Sequence, residues 1–247
     1  RLLSEGHSVA CLDDLSTGRL SNMAELQSNK NFEFFNHDLT KSFFPDKIDA
    51  IFNLACPASP VHYQYNPIRT LKMGTLAMYN VLGMATRLNI PILQASTSEI
   101  YGKSSHVPFN EDDDRLLGPT TKSRWSYSTS KAVDEFLGLA YYKQKGLPVT
   151  IFRLFNTVGP KQESRYGMVI PRLINQSIQQ KPLTIYGDGH QTRCFCDVDD
   201  VVNAIIALSK SNKAIGEVVN IGSNEEISIL NLAKKILQKI ITNALSI

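Results

Sequence analysis

The 247 residues hold only four cysteines, and no two of them are spaced C-x-x-C. That removes the usual ligand spacing of a structural zinc and of a redox dithiol. Cys11, Cys56, Cys194 and Cys196 read as buried free thiols of a reducing, cytoplasmic setting. The last two, in "CFC", are expected side by side on one face of a strand. No apolar run reaches the ~18 residues of a bilayer-spanning helix, so no membrane partner is expected. The opening "RLLSEGHSV" lacks the apolar core and cleavage site of a secretory signal. Lysine and arginine number 26 against 23 acids, a net charge of +3. With no basic block and no aromatic residues interleaved with bases, nucleic acid is not an expected partner. His62, His106 and His190 show no ligand spacing. "EDDD" at 111–114 reads as a solvated loop run, and no metal is expected.

What is present is ordinary in bulk and ordered in pattern. Hydrophobic residues make up 43% and charged residues 20%, as in a globular chain. Short apolar runs alternate with helical periodicity. Strands are expected at 8–12, 32–36, 50–55, 90–96 and 148–156. They are continuous rather than alternating, as strands buried on both faces should be. Helices are expected near 65–88 and 125–145. Such alternation predicts an α/β fold, a Rossmann-like doubly wound parallel sheet. Its ligand crevice lies at the carboxyl ends of the strands, here Asp13, Asp38, Ala55, Thr97 and Asn156.

From residue 159 the pattern changes. "MVIPRLINQSIQ" and "VDDVVNAIIALSK" read as helices, and "LTIYG", "TRCFCDV" and "EVVNIG" as short strands. Residues 228–245 are amphipathic, with Ser228 as a cap. The expected division is a dinucleotide-binding domain over 1–158 and a smaller substrate lobe over 159–247. The acid-terminated strand ending at Asp13 reads as the second strand of a dinucleotide fold. No G-x-G-x-x-G or G-x-x-G-x-x-G occurs, so the first strand and its glycine turn are expected to be missing.

Three places carry chemistry. Asp13 closes a strand where a carboxylate can accept both hydroxyls of an adenosine ribose. "YSTSK" sets Tyr127 and Lys131 at i,i+4, on one face of a helix. An ammonium beside a phenol favours the phenolate and is expected to make Tyr127 a usable base near neutral pH. "STSEIYG" puts Thr97, Ser98 and Glu99 at the end of a buried strand. A hydroxyl at Thr97 can hold the substrate oxygen whose proton Tyr127 takes.

Asp13 after a strand, "NLA", "STSEIYG", "YSTSK", "FRLFNTVGP" and "YGDGHQTRCFCDVDDVV" occur in one order. Together they resemble the extended short-chain dehydrogenase/reductase superfamily of nucleotide-sugar epimerases, dehydratases and decarboxylases. The resemblance implies an NAD-dependent enzyme whose catalytic residues are Thr97, Tyr127 and Lys131, with Glu99 beside them. It places Asp13, Asp14, Ser16, Thr17, Gly18, Asp38, Leu39, Leu54, Ala55, Cys56, Tyr127, Lys131 and Thr157 along NAD. It places Lys72, Asn156, Val169, Arg172, Tyr186 and Arg193 around a nucleotide sugar, a UDP-sugar being expected. It also implies a homodimer. "TSE" and "NLACPASPVHYQYNPIRTLK" are similar to the UDP-glucuronate decarboxylase branch, which turns UDP-glucuronate into UDP-xylose. A 4-epimerase or a 4,6-dehydratase is the alternative within the superfamily, and a non-catalytic remnant the alternative outside it. The family's late basic segment, with an arginine, is also expected to be missing.

Overall fold

The computed structural model describes residues 1–45, 47–162 and 168–245. The order of elements is β1 (Val9–Asp13), β2 (Phe32–Asn36), β3 (Ile51–Asn53), α1 (Pro60–Tyr65), α2 (Pro67–Lys72), a π segment (Met73–Ala77), α3 (Met78–Leu88), β4 (Ile92–Thr97) and α4 (Ser126–Lys145). There follow β5 (Val149–Leu154), β6 (Thr157–Val158), α5 (Val169–Ile178), β7 (Thr192–Cys194), β8 (Cys196–Asp197), α6 (Val198–Ser209), β9 (Val218–Ile221), β10 (Glu226–Ser228) and α7 (Ile229–Leu245).

Local chemistry sets the boundaries. Pro60 and Pro67 each open a helix, where a missing N–H leaves no bond unmade. Pro67 thereby sets the start of the helix expected near 65–88, which runs unbroken through α2, the π segment and α3, with α1 ahead of it. The Asn66 side chain caps the second piece by accepting from the Arg69 N–H. Asn89, at φ 53°, ends α3 in the left-handed region. Asp197 caps α6 through the Asp199 N–H, and Ser228 accepts from the Asn231 N–H at 3.2 Å as α7 begins.

The parallel sheet runs β3-β4-β5-β9. All six residues of β4 are buried. Because successive side chains point to opposite faces, the run feeds two cores. Ile92, Val149 and Ile151 pack on one face with Met78, Val81, Leu82 and Ala85 of α3. Leu93, Ala95 and Phe152 pack on the other with Val201 and Ile205 of α6. Helices on both faces of a parallel sheet are the doubly wound arrangement expected from the alternation.

Four expectations change in detail. β1 and β2 form their own parallel pair, with no hydrogen bonding to β3 among the described residues. The change of pattern at 159 does not mark where the sheet stops. β9 pairs with β5, and α6 covers its face, because the apolar side chains of 201–221 extend the second core. What stands apart is a third cluster, in which Leu173 of α5 meets Ile229, Leu232 and Ala233 of α7. "LTIYG" forms no strand. Cys194 and Cys196 fall on different strands, β7 pairing with β10 and β8 with β6, so they do not share one sheet face.

Candidate active site

β4 delivers Thr97 to the carboxyl edge of the sheet. There the chain turns at once into a short 3-10 helix, Ser98–Tyr101, and the Thr97 Oγ1 accepts from the Glu99 N–H at 3.2 Å. Helix α4 crosses behind this edge. Its approach to the π segment is close because position 74 is glycine: a Cβ there would lie 2.5 Å from the Ser130 Cβ and 2.7 Å from the Ser130 carbonyl oxygen. The π segment that contains Gly74 widens the helix at the contact.

Tyr127 and Lys131 occupy one buried face of α4. The Thr97 hydroxyl lies near the Tyr127 phenol and favours its ionised form. Lys131 Nζ donates to the Ala95 carbonyl at 2.9 Å and to Asp134 Oδ2 at 3.0 Å. Gln94 Nε2 reaches the same carboxylate oxygen at 3.3 Å and Asn53 Nδ2 donates to Gln94 Oε1 at 2.6 Å, so a buried polar chain runs from β3 to the lysine. Burial lifts the Asp134 carboxyl to about 6, with Lys131 opposing it.

The electrostatics correct one expectation. Lys131 and the Thr97 hydroxyl do pull the Tyr127 phenol downward, but burial pushes it up by more, with Cys56 and Glu99 acting the same way. The ring is closed off from water, so a phenolate is disfavoured in this geometry. Lys131 itself keeps its ammonium: burial works against the charge, and Cys56, Asp134 and Tyr127 together outweigh it.

Among the described residues, the Glu99 carboxylate is held by side chains. Arg124 Nη1 donates to Glu99 Oε2 at 2.6 Å. The Tyr63 hydroxyl donates to the same oxygen at 3.2 Å and also receives a hydrogen bond from Arg124. The Tyr63 ring is fully buried and stacks on Tyr127. Burial, then the Glu99 charge, raises the Tyr63 phenol above its ordinary value. Tyr63, Arg124 and Asp134 are therefore site residues that the sequence reading passed over. Arg124 stands three residues before Tyr127, just ahead of the "YSTSK" motif, and Tyr63 lies inside the "CPASPVHYQYNP" stretch; only the fold joins them to Glu99.

The expected cofactor residues divide. The Asp13 side chain is exposed, and its Oδ1 takes the Leu15 N–H at 2.7 Å. Asp14 is held inside the protein by the Ser16 N–H and by Arg69, so it is not a free acceptor. Ser16, Thr17 and Gly18 form the turn after it. Asp38 is fixed by the Thr40 N–H and hydroxyl, which keep its carboxyl below the usual range. Leu39 packs into the first core and its carbonyl accepts from Asn80. After β3 come Leu54, exposed, then Ala55 and Cys56; burial pushes the Cys56 thiol up. Thr157 sits on β6 with a buried hydroxyl that has no partner among the described residues.

Of the expected substrate residues, Arg172 and Tyr186 come together, the guanidinium 4.4 Å from the ring centroid. Arg172 Nη2 also donates to the Thr184 carbonyl. Asn156 Nδ2 donates to the Cys194 carbonyl at 2.9 Å. Val169 packs into the α5–α7 cluster rather than standing free. Lys72 is exposed at the end of α2, and Arg193 is exposed on β7, bonded to the Thr192 carbonyl.

With this geometry, comparison with known proteins is decisive. The model of the NAD dependent epimerase/dehydratase family matches residues 1–222. This chain belongs to that family. It is 40% identical to UDP-glucuronic acid decarboxylase 1 of Xenopus tropicalis over 238 residues, which are 96% of this chain and 56% of that protein. It thus spans about half the length of the curated relatives it matches. Among solved structures, the epimerase Mth375 of Methanothermobacter thermautotrophicus superposes with a TM-score of 0.88 at 28% identity, covering 96% of this chain and 70% of that one. A dTDP-glucose 4,6-dehydratase of Bacillus anthracis, solved in complex with NAD, superposes with a TM-score of 0.81 at 25% identity, covering 96% of this chain and 74% of that one.

The family's cofactor is NAD, and the described residues suit it. Asp13 offers an exposed carboxylate at the end of β1, Leu54 an exposed apolar side chain at the end of β3, and Lys131 a buried cation beside Tyr127.

Proposed function

We propose that the chain modifies a nucleotide sugar through a 4-keto intermediate, and that the reaction is decarboxylation of UDP-glucuronate to UDP-xylose. The observation that carries this reading is Glu99, held by Arg124 and Tyr63 beside the Thr97–Tyr127 hydroxyl pair. Oxidation at C4 alone has no use for a positioned carboxylate; work at C5 and C6 has. The 40% identity to a UDP-glucuronic acid decarboxylase supports the same choice.

NAD, when bound, takes a hydride from the sugar C4 and later gives it back. The chain's own residues do the rest. Tyr127, beside Thr97, accepts the C4 hydroxyl proton in its phenolate form. Lys131, fixed as an ammonium, favours that phenolate before the transfer, which leaves a neutral phenol. The C4 ketone makes the sugar a β-keto acid. Its C5–C6 bond then breaks with the electrons passing into the C4–C5 enolate, the carboxylate leaves as CO2, and C5 takes a proton. Glu99 is the group placed to manage that proton. Asp13 and Leu54 hold the adenosine end of the cofactor. Asn156, Arg172, Tyr186 and Arg193 grip the nucleotide diphosphate, where a planar guanidinium matches phosphate oxygens, and Lys72 lies along the sugar side. The protein acts as a homodimer through the outer faces of α1 to α4, where Tyr65, Ile68, Leu76, Tyr79 and Phe136 are exposed.

The test is incubation of the chain with NAD and UDP-glucuronate labelled at C6. Labelled CO2 and UDP-xylose are the expected products. Interconversion of UDP-glucose and UDP-galactose without CO2 would establish instead the 4-epimerase reading, which the Mth375 likeness favours. Glu99→Gln separates the two again: a loss on the order of a hundredfold or more belongs to decarboxylation, and near-intact turnover to epimerisation.

A further inference from the structure

We propose that Asp134 is a positioning residue that shares the Lys131 ammonium with Tyr127 and so governs when that tyrosine can take up a proton. This rests on the role proposed above for Tyr127, and adds to it a carboxylate further along the same helix.

Tyr127, Lys131 and Asp134 stand at i, i+4 and i+7 of α4, one above another on a single face. Their relative exposures are 5%, 2% and 2%, so water and salt screen them little from one another. An ammonium has three N–H donors. Two of those on Lys131 go to the Ala95 carbonyl at 2.9 Å and to Asp134 Oδ2 at 3.0 Å. Among the described residues, Lys131 is the cation bonded to that carboxylate. Gln94 Nε2 reaches the same oxygen at 3.3 Å, but it is a neutral amide, itself held by the Ala95 carbonyl at 2.9 Å. Oδ1 is buried and has no hydrogen-bond partner among the described residues.

The titratable groups that face Asp134 are Lys131 and Glu135 on its own helix and the Cys56 thiol after β3, while Asn53 of β3 and Gln94 of β4 are neutral. Those that face Tyr127 are Lys131, Cys56 and Glu99. Lys131 is thus the cation common to both. A pair this dry is weak evidence for a stability role, since apolar residues of like volume often serve as well or better. Its effect on charge is definite. A carboxylate at 134 opposes a second negative charge on the same face, and a phenolate at 127 is that charge. When Asp134 takes a proton, Lys131 serves the phenol alone. Seven residues rise about 10 Å along a helix. A unit charge at that distance, in an effective dielectric of about 20, moves a titration by about one pH unit.

The first measurement needs no substrate. The chain is labelled with 13C at tyrosine Cζ, the Tyr127 signal is assigned by its loss in Tyr127→Phe, and spectra are followed across the acid-to-neutral range. The wild-type signal is expected to move with a midpoint of about 6, as the Asp134 carboxyl titrates, and to stay flat in Asp134→Asn. The second measurement is the pH profile of UDP-glucuronate decarboxylation with NAD. The limb on which Tyr127 loses its proton should lie about one pH unit lower in Asp134→Asn, making the variant up to about tenfold faster on the acid side. A wild-type signal that ignores pH overturns the proposal, and so does a midpoint that survives in Asp134→Asn. An unshifted limb in an active variant overturns it as well. The wild-type titration decides if the variant fails to fold. Absence of turnover strikes the function proposed above and leaves the Asp134–Tyr127 coupling to the spectra.

Discussion

The rings of Tyr63 and Tyr127 lie face to face, 4.9 Å between centroids and 3° from parallel. The Tyr63 hydroxyl bonds Glu99, and the Tyr127 hydroxyl lies near that of Thr97. This stack ties the oxidising half of the site, on β4 and α4, to the carboxylate that follows β4. It also gives the first prediction. Tyr63→Ala should lower unfolding free energy by about 3–5 kcal/mol, as for a buried aromatic truncation. Tyr63→Phe keeps the ring and should lose only about 1 kcal/mol, one hydrogen bond. Urea unfolding of both variants checks the difference, and similar losses would contradict the stacking argument.

Asp134 should leave a mark on stability against pH. Its carboxyl is raised from 3.8 to about 6 in the folded chain, with burial as the main cause. The folded state therefore binds the proton more tightly than the unfolded state does. The contribution is fully present below about pH 3.8 and is lost as the pH rises through about 6. The difference in unfolding free energy between wild type and Asp134→Asn should change over that window and be flat above it. A difference independent of pH would mean that the carboxyl is not perturbed.

Gly74→Ala tests the close approach of the π segment to α4. A methyl at 74 meets the Ser130 backbone and side chain, neither of which can move without shifting α4. The expected destabilisation is about 1–3 kcal/mol, read as a lower denaturation midpoint. No change at all would mean that the two helices have slack between them.

A second buried pair lies behind the site. Arg153 on β5 donates to Glu135 on α4 through Nε at 3.0 Å and Nη2 at 2.8 Å, and Ser96 donates to the same carboxylate at 2.5 Å. Arg153→Met leaves a buried carboxylate without its counter-charge and should cost about 3–5 kcal/mol. Changing both residues to Met should recover a large part of that. A double-mutant cycle in denaturant measures it, and a double variant as unstable as the sum of the singles would refute the pairing.

The sequence alone settled what depends on local order. Continuous apolar runs made β4 and β5 buried strands, because a strand covered on both faces has no polar side to show. The i,i+4 spacing of Tyr127 and Lys131 put both on one face of α4, because a helix repeats every 3.6 residues. The order of the motifs gave the family. Tertiary structure alone decided what depends on distances between segments far apart in the chain. Arg124 and Tyr63 meet at Glu99 across separations of 25 and 36 residues, and no periodicity encodes such a meeting. The net direction of the Tyr127 phenol was hidden for a related reason. Its neighbouring charge can be read from spacing, but the burial that outweighs it is a property of the packed chain, and solvation is set only when the segments close around the ring.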